Sequence, residues 1–178
     1  MPDTTPADSV LADTVPAGDS GSAQGGAAAA TARLVTITDS GPMIVATVML
    51  PGCEPGRALA AFTDPVVLAR WWRGELAADL VPGGQYSVSF PAIPARMAGQ
   101  VVSYVPGRSL EITWAWDDKE RPATTVTVRV QWLAGDQSTE LTIEHGPHYE
   151  DEGGRIAHAE HWEGWEYFLP RLPAAVAG

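Results

Sequence analysis

Four histidines, His145, His148, His158 and His161, are the residues of this chain whose types and spacing could do chemistry. His158 and His161 stand three apart, which puts both on one side of a helix. A zinc-type centre wants about three His, Cys, Asp or Glu ligands converging on one point. The H-E-x-x-H pattern is absent and Cys53 is the single cysteine, so the expectation is no metal and no other cofactor. General acid–base chemistry asks for less, because one imidazole in a partly dry cavity titrates near working pH. His158 and His161 are the catalytic candidates, with Tyr86 and Tyr104 as their hydrogen-bonding partners. No Ser-His-acid arrangement is legible, and G-x-S-x-G is absent. Cys53 sits in a Pro/Gly loop beside Glu54, whose carboxylate raises a thiol pKa, and this argues against a nucleophile. The plainer expectation is that His161 is a structural histidine, hydrogen-bonded beneath a sheet.

Seven tryptophans in 178 residues are the second concentration of chemistry. Indoles fill cores, each burying roughly 150–250 Å². A wall of several also lines pockets for flat apolar ligands. Trp114, Trp116 and Trp165 are the ones that strand alternation and helical spacing both turn inward. The expected lining of a ligand cavity is Trp71, Trp72, Tyr86, Phe90, Trp114, Trp116, His161, Trp165 and Phe168.

These side chains need elements to hold them. Residues 34 to 50 alternate weakly and read as a long first strand, interrupted at Gly41-Pro42. Two short helices follow: one from Pro55 to Phe62, the next capped by Asp64 with Pro65 at its first position. After the Pro82-Gly83-Gly84 turn, Tyr86, Val88 and Phe90 share one strand face. Further strands run from Gly99 to Val105, from Leu110 to Trp116, from Val126 to Trp132 and from Leu141 to His145. Each has one apolar face, as antiparallel strands do. From Gly153 to Leu172, a helical wheel gathers His158, His161, Trp162, Trp165, Phe168, Leu169 and Leu172 into an arc of about 120°. Glu160, Glu163 and Glu166 fall outside it. Pro170 predicts a kink or an early end. The fold class is therefore α+β, with a curved antiparallel sheet wrapped around a long C-terminal helix.

Composition narrows the partners. The formal net charge is -11, and taking away four Asp and Arg33 from the first 33 residues leaves 18 acids and 10 bases, a net of -8. Nucleic-acid binding needs a clustered basic surface, so no nucleic-acid partner is expected. No run reaches the roughly 18 apolar residues of a membrane span, so no membrane partner is expected either. Residues 1–33 hold Pro2, Pro6 and Pro16, an alanine run and no aromatic residue. They read as a disordered acidic tail ahead of one domain over 34–178. The tail lacks the pattern of a secretory or transit peptide, so the expected location is cytoplasmic.

The chain resembles the START-like SRPBCC superfamily, in the branch named for activators of the heat-shock chaperone ATPase. Ala61-Phe62-Thr63-Asp64-Pro65 with Leu68-Ala69-Arg70-Trp71-Trp72 is similar to its "A-L-T-D-P…L-x-x-W-W" segment. Gly83-Gly84-Gln85-Tyr86 matches its "G-G-x-Y/F" turn. Gly99-Gln100-Val101 leads through Pro106-Gly107-Arg108-Ser109-Leu110 into Ile112-Thr113-Trp114, as in the family. His161-Trp162-Glu163-Gly164-Trp165, with Leu169 and Leu172, is similar to the closing "H-x-x-G-W-x-x-x-L-x-x-L" helix. The likeness covers roughly residues 43 to 173. It implies a helix-grip fold with a cavity between sheet and helix, and members that bind apolar small molecules, act as cyclases or aromatases, or assist the chaperone.

Three functions follow. The first is binding of a small, mostly apolar molecule in that cavity, with Arg96 or a histidine fixing its polar end. The second is a cofactor-independent cyclase or hydratase using His158 or His161. The third is an interaction protein that contacts a chaperone.

Overall fold

A computed structural model describes residues 34–92, 95–117 and 123–177. The expected tail, residues 1–33, lies outside them. The alternating stretches become strands β1 (Val35–Ser40), β2 (Met43–Pro51), β3 (Glu75–Ala78), β4 (Gln85–Phe90), β5 (Ala95–Val105), β6 (Ser109–Trp116), β7 (Thr124–Leu133) and β8 (Ser138–Gly146). They pair antiparallel in one eight-stranded sheet, in the order β1-β2-β8-β7-β6-β5-β4-β3. A register shift between Val101 and Ser103 of β5 bends the sheet, as a bulge does. At Gly99 a Cβ would stand 1.9 Å from the Thr113 carbonyl oxygen, so only glycine lets β5 and β6 approach this closely.

Helices α1 (Pro55–Thr63) and α2 (Pro65–Trp72) follow β2 as expected. The Asp64 carboxylate accepts from the backbone N–H of Val66 at 2.8 Å and of Val67 at 3.1 Å, satisfying two orphan donors of α2. The long helix α3 (Glu152–Phe168) starts on Asp151, which accepts from Gly154 N–H at 2.7 Å. It stops before Pro170, and the chain passes through a 3₁₀ turn (Leu169–Arg171) into α4 (Leu172–Ala177). This is the early end expected of a residue with no N–H to give.

One sheet face is covered. Ile44, Ala46, Val48 and Leu50 of β2 lie opposite His145, Ile143, Leu141 and Thr139 of β8, and all eight are buried. Trp165, Leu169 and Leu172 close over this concave side, at 3%, 0% and 0% exposure. The result is the helix-grip arrangement that the resemblance implied. Among the described residues no helix is long and apolar enough to cross a membrane.

Three details depart from the sequence reading. The interruption at Gly41-Pro42 is the turn of a β1–β2 hairpin, not a break within one strand. Strand β3 carries one half-buried apolar residue, Leu76, at the sheet edge, too little alternation to read from sequence. Trp132, placed inward with Val126, Val128 and Val130, is 37% exposed near the end of β7.

Candidate functional site

Between the sheet and α3 lies a cavity of about 90 Å³. Trp72, Phe90, Trp114, Trp116, His161, Trp165 and Phe168 line it, all of them expected. Three lining residues were not: His145, Glu160 and Gly164. Glu160 is exposed and Gly164 and Phe168 are half-buried, which marks where the cavity reaches the surface. A Cβ on Gly164 would meet nothing within 4 Å. The glycine is thus a gap in the helix wall, kept although Gly costs a helix interior about 1 kcal/mol against Ala.

The remaining expected residues lie elsewhere. Trp71 is wholly buried behind Trp72, stacked on it at 5.0 Å, and its N–H donates to the Ala61 carbonyl at 2.9 Å. Tyr86 is wholly buried too, with its hydroxyl donating to the Phe62 carbonyl at 2.7 Å. Burial pushes that phenol well above its ordinary value. Both fasten α1 and α2 and are core. Arg96, on the exposed side of β5, pairs with Asp117 at 3.0 Å and does not reach the cavity. Tyr104 packs half-buried on the core without lining it. Cys53 is buried and its thiol is raised, first by burial and then by Glu54, against the lowering effect of Arg57.

His158 also leaves the cavity. Three residues before His161, it sits roughly 4.5 Å nearer the start of α3, beside an open groove lined by Asp39, Pro42, His148, Tyr149 and Arg155. Its Nε2 stands 3.7 Å from the Asp39 carboxylate, beyond hydrogen-bond range.

His145, His148 and His161 come together instead, all buried, with ring nitrogens within 4.8 Å of one another. His148 has no periodic signal, because it sits in the β8–α3 loop. Gly154 brings it there: a Cβ at that position would be 2.0 Å from the Tyr149 carbonyl oxygen, so the loop folds tightly onto the helix start. His148 is anchored by its own backbone N–H on the Pro42 carbonyl at 2.7 Å.

Hydrogen bonding assigns every proton in this cluster. Indole only donates, and a neutral imidazole has one N–H and one lone pair. Trp165 donates to His145 Nδ1 at 3.0 Å, so the proton of His145 is on Nε2 and goes to Thr124 Oγ1 at 2.8 Å. Trp116 donates to His161 Nε2 at 3.1 Å, so His161 carries its proton on Nδ1 and gives it to His148 Nε2 at 2.8 Å. His148 then donates from Nδ1 to the Pro42 carbonyl at 3.0 Å. Burial, seconded by the neighbouring imidazoles, pushes His145 far below its ordinary value. Burial lowers His148 as well, against the Pro42 carbonyl, which raises it.

A metal ion would need a lone pair from each ring at one point. The indole donors of Trp116 and Trp165 occupy those of His161 and His145, so the donor set does not fit a metal despite its compactness. Trp114, 5% exposed, has an indole N–H with no acceptor among the described residues.

Comparisons with known proteins agree with the architecture. CalU16 from Micromonospora echinospora superposes with a TM-score of 0.60 at 22% identity, over 80% of this chain and 83% of that one. A protein from Arthrobacter aurescens gives 0.65 at 19% identity, over 81% and 92%. DynU16, from the dynemicin biosynthetic locus, gives 0.64 at 21%, over 77% of this chain and 48% of its own. Likeness at these identities establishes the fold. No curated protein matches the sequence. A family model does, over residues 53–177, and the chain belongs to that family, described as Activator of Hsp90 ATPase homolog 1-like protein.

Proposed function

We propose that this protein binds a small, mostly apolar molecule, one compact group of which enters the cavity between sheet and α3. The observation that carries the reading is the cavity itself, walled by four indoles and two phenyl rings and reaching the surface at Gly164. Its volume of about 90 Å³ is well below the roughly 300–1,000 Å³ of pockets that swallow a whole drug-sized ligand. The rest of a larger ligand therefore stays outside the cavity.

The hydrogen bonding weighs against a cyclase or hydratase that uses these histidines. A general acid or base must offer a proton or lone pair to its substrate, and those of His145 and His161 are committed within the protein. His158 does not line the cavity.

Dimethylbutanol, a neutral alcohol with a bulky tert-butyl end, tests the reading by calorimetry and tryptophan emission. It is expected to bind the wild type and to lose binding in Gly164→Leu, whose side chain fills the gap. Wild-type and Gly164→Leu protein that respond alike would refute a site in this cavity. Turnover of a polyketide-like substrate by the wild type, abolished in a folded His161→Ala that still binds it, would favour the catalytic alternative.

A further inference from the structure

We propose that the group entering the cavity carries a neutral hydrogen-bond acceptor with no hydrogen of its own to donate, a ketone or ester carbonyl, and that the Trp114 indole N–H donates to it. This rests on the reading of the cavity as a binding site and names its ligand class and the residue that selects it.

Three buried polar side-chain atoms lack a hydrogen-bond partner among the described residues: Trp114 Nε1, Ser138 Oγ and His158 Nε2. Trp114 alone of the three lines the cavity. Indole nitrogen only donates, and buried donors in folded proteins are nearly all paired. Trp114 is 5% exposed, and no side chain or backbone carbonyl of the chain answers its N–H. A guest among these rings can bring the acceptor that the protein does not.

The neighbouring rings do not supply one. Trp72 stacks on Trp114 at 5.4 Å and 29°, which covers a face and not the edge that bears the N–H. Trp116 and His161 meet it at 82° and 78°. A ring face presented to an N–H is a second-order acceptor beside a carbonyl oxygen.

The other polar rings of the wall explain why the guest accepts and does not donate. Trp116 and Trp165 spend their N–H groups on His161 and His145. Those imidazoles pass their own hydrogens to His148 and Thr124. A hydroxyl could accept from Trp114, but it would bring a hydrogen that these imidazoles cannot take, and a buried donor left unpaired is costly. A carboxylate would accept as well. It would be buried among apolar rings and repelled by a net charge of -11.

tert-Butyl methyl ketone and the alcohol formed by its reduction share a carbon skeleton and differ in that hydrogen. Titrated calorimetrically into the full-length protein, the ketone is expected to bind about tenfold tighter than the alcohol. In the proton–nitrogen spectrum of the same protein, with its indole resonances assigned, the ketone is expected to move the Trp114 Nε1–H furthest downfield. Both effects are expected to vanish in Gly164→Leu, confirmed folded by circular dichroism. Equal or weaker binding of the ketone, lost in Gly164→Leu, overturns the carbonyl proposal and leaves the cavity reading standing. A tighter ketone whose largest shift falls on another indole also overturns it, because a different donor then holds the oxygen. Binding of neither compound, or binding of both undiminished in Gly164→Leu, removes the cavity reading and the proposal together.

Discussion

At the scale of single residues, the cluster is held by donor direction. Trp165 and Trp116 determine which nitrogen of His145 and His161 carries hydrogen, Thr124 and His148 take those hydrogens, and the Pro42 carbonyl takes the one on His148. Removing one acceptor leaves a buried donor without a partner, at about 1–3 kcal/mol. Thr124→Val keeps the shape and orphans the His145 Nε2–H, so it is expected to lose stability by that amount in urea unfolding. The same variant should leave dimethylbutanol affinity unchanged, since Thr124 does not line the cavity. Much of this was hidden in the sequence. His145 continues the inward alternation of Leu141 and Ile143, which was legible, but His148 sits in an aperiodic loop. Trp71 and Trp72 are adjacent and both buried. Only their roughly 100° separation around α2 makes one a cavity wall and the other the packing behind it.

At the scale of elements, the strands and helices were read nearly as they stand, because each buries one face and its period follows directly. Proline and aspartate punctuation supplied the helix ends. Asp64→Ala removes the acceptor for two backbone donors of α2, and is expected to cost about 1 kcal/mol in equilibrium unfolding. Gly164→Ala should do the reverse and raise stability by about 1 kcal/mol, because its Cβ enters open space. What periodicity missed was of two kinds. Strand β3 is short and lies at an edge, so its pattern is weak. His158 shares an arc with His161 on the wheel, yet the wheel has no axial coordinate. One turn nearer the start of α3 the neighbours are Asp39 and Pro42 at the β1–β2 turn, not the cavity.

At the scale of the whole molecule, the buried neutral histidines tie stability to pH. Unfolded, His145 and His148 titrate near 6.5, and folded they titrate lower. Above that pH neither state holds the extra protons, and stability is full. As pH falls below it, the unfolded chain takes up protons that the folded chain refuses, so stability declines until the folded-state values are reached. Urea unfolding at about pH 5 should therefore give a lower free energy than at about pH 7.5. His148→Gln should flatten part of that slope. The account as a whole depends on an apolar, reachable space between the curved sheet and α3, and xenon reports on such spaces directly. A xenon-pressurised crystal should show a strong anomalous peak bounded by Trp114, Trp116 and Phe168. A map with no peak there, and with those rings closed on one another, would contradict the account.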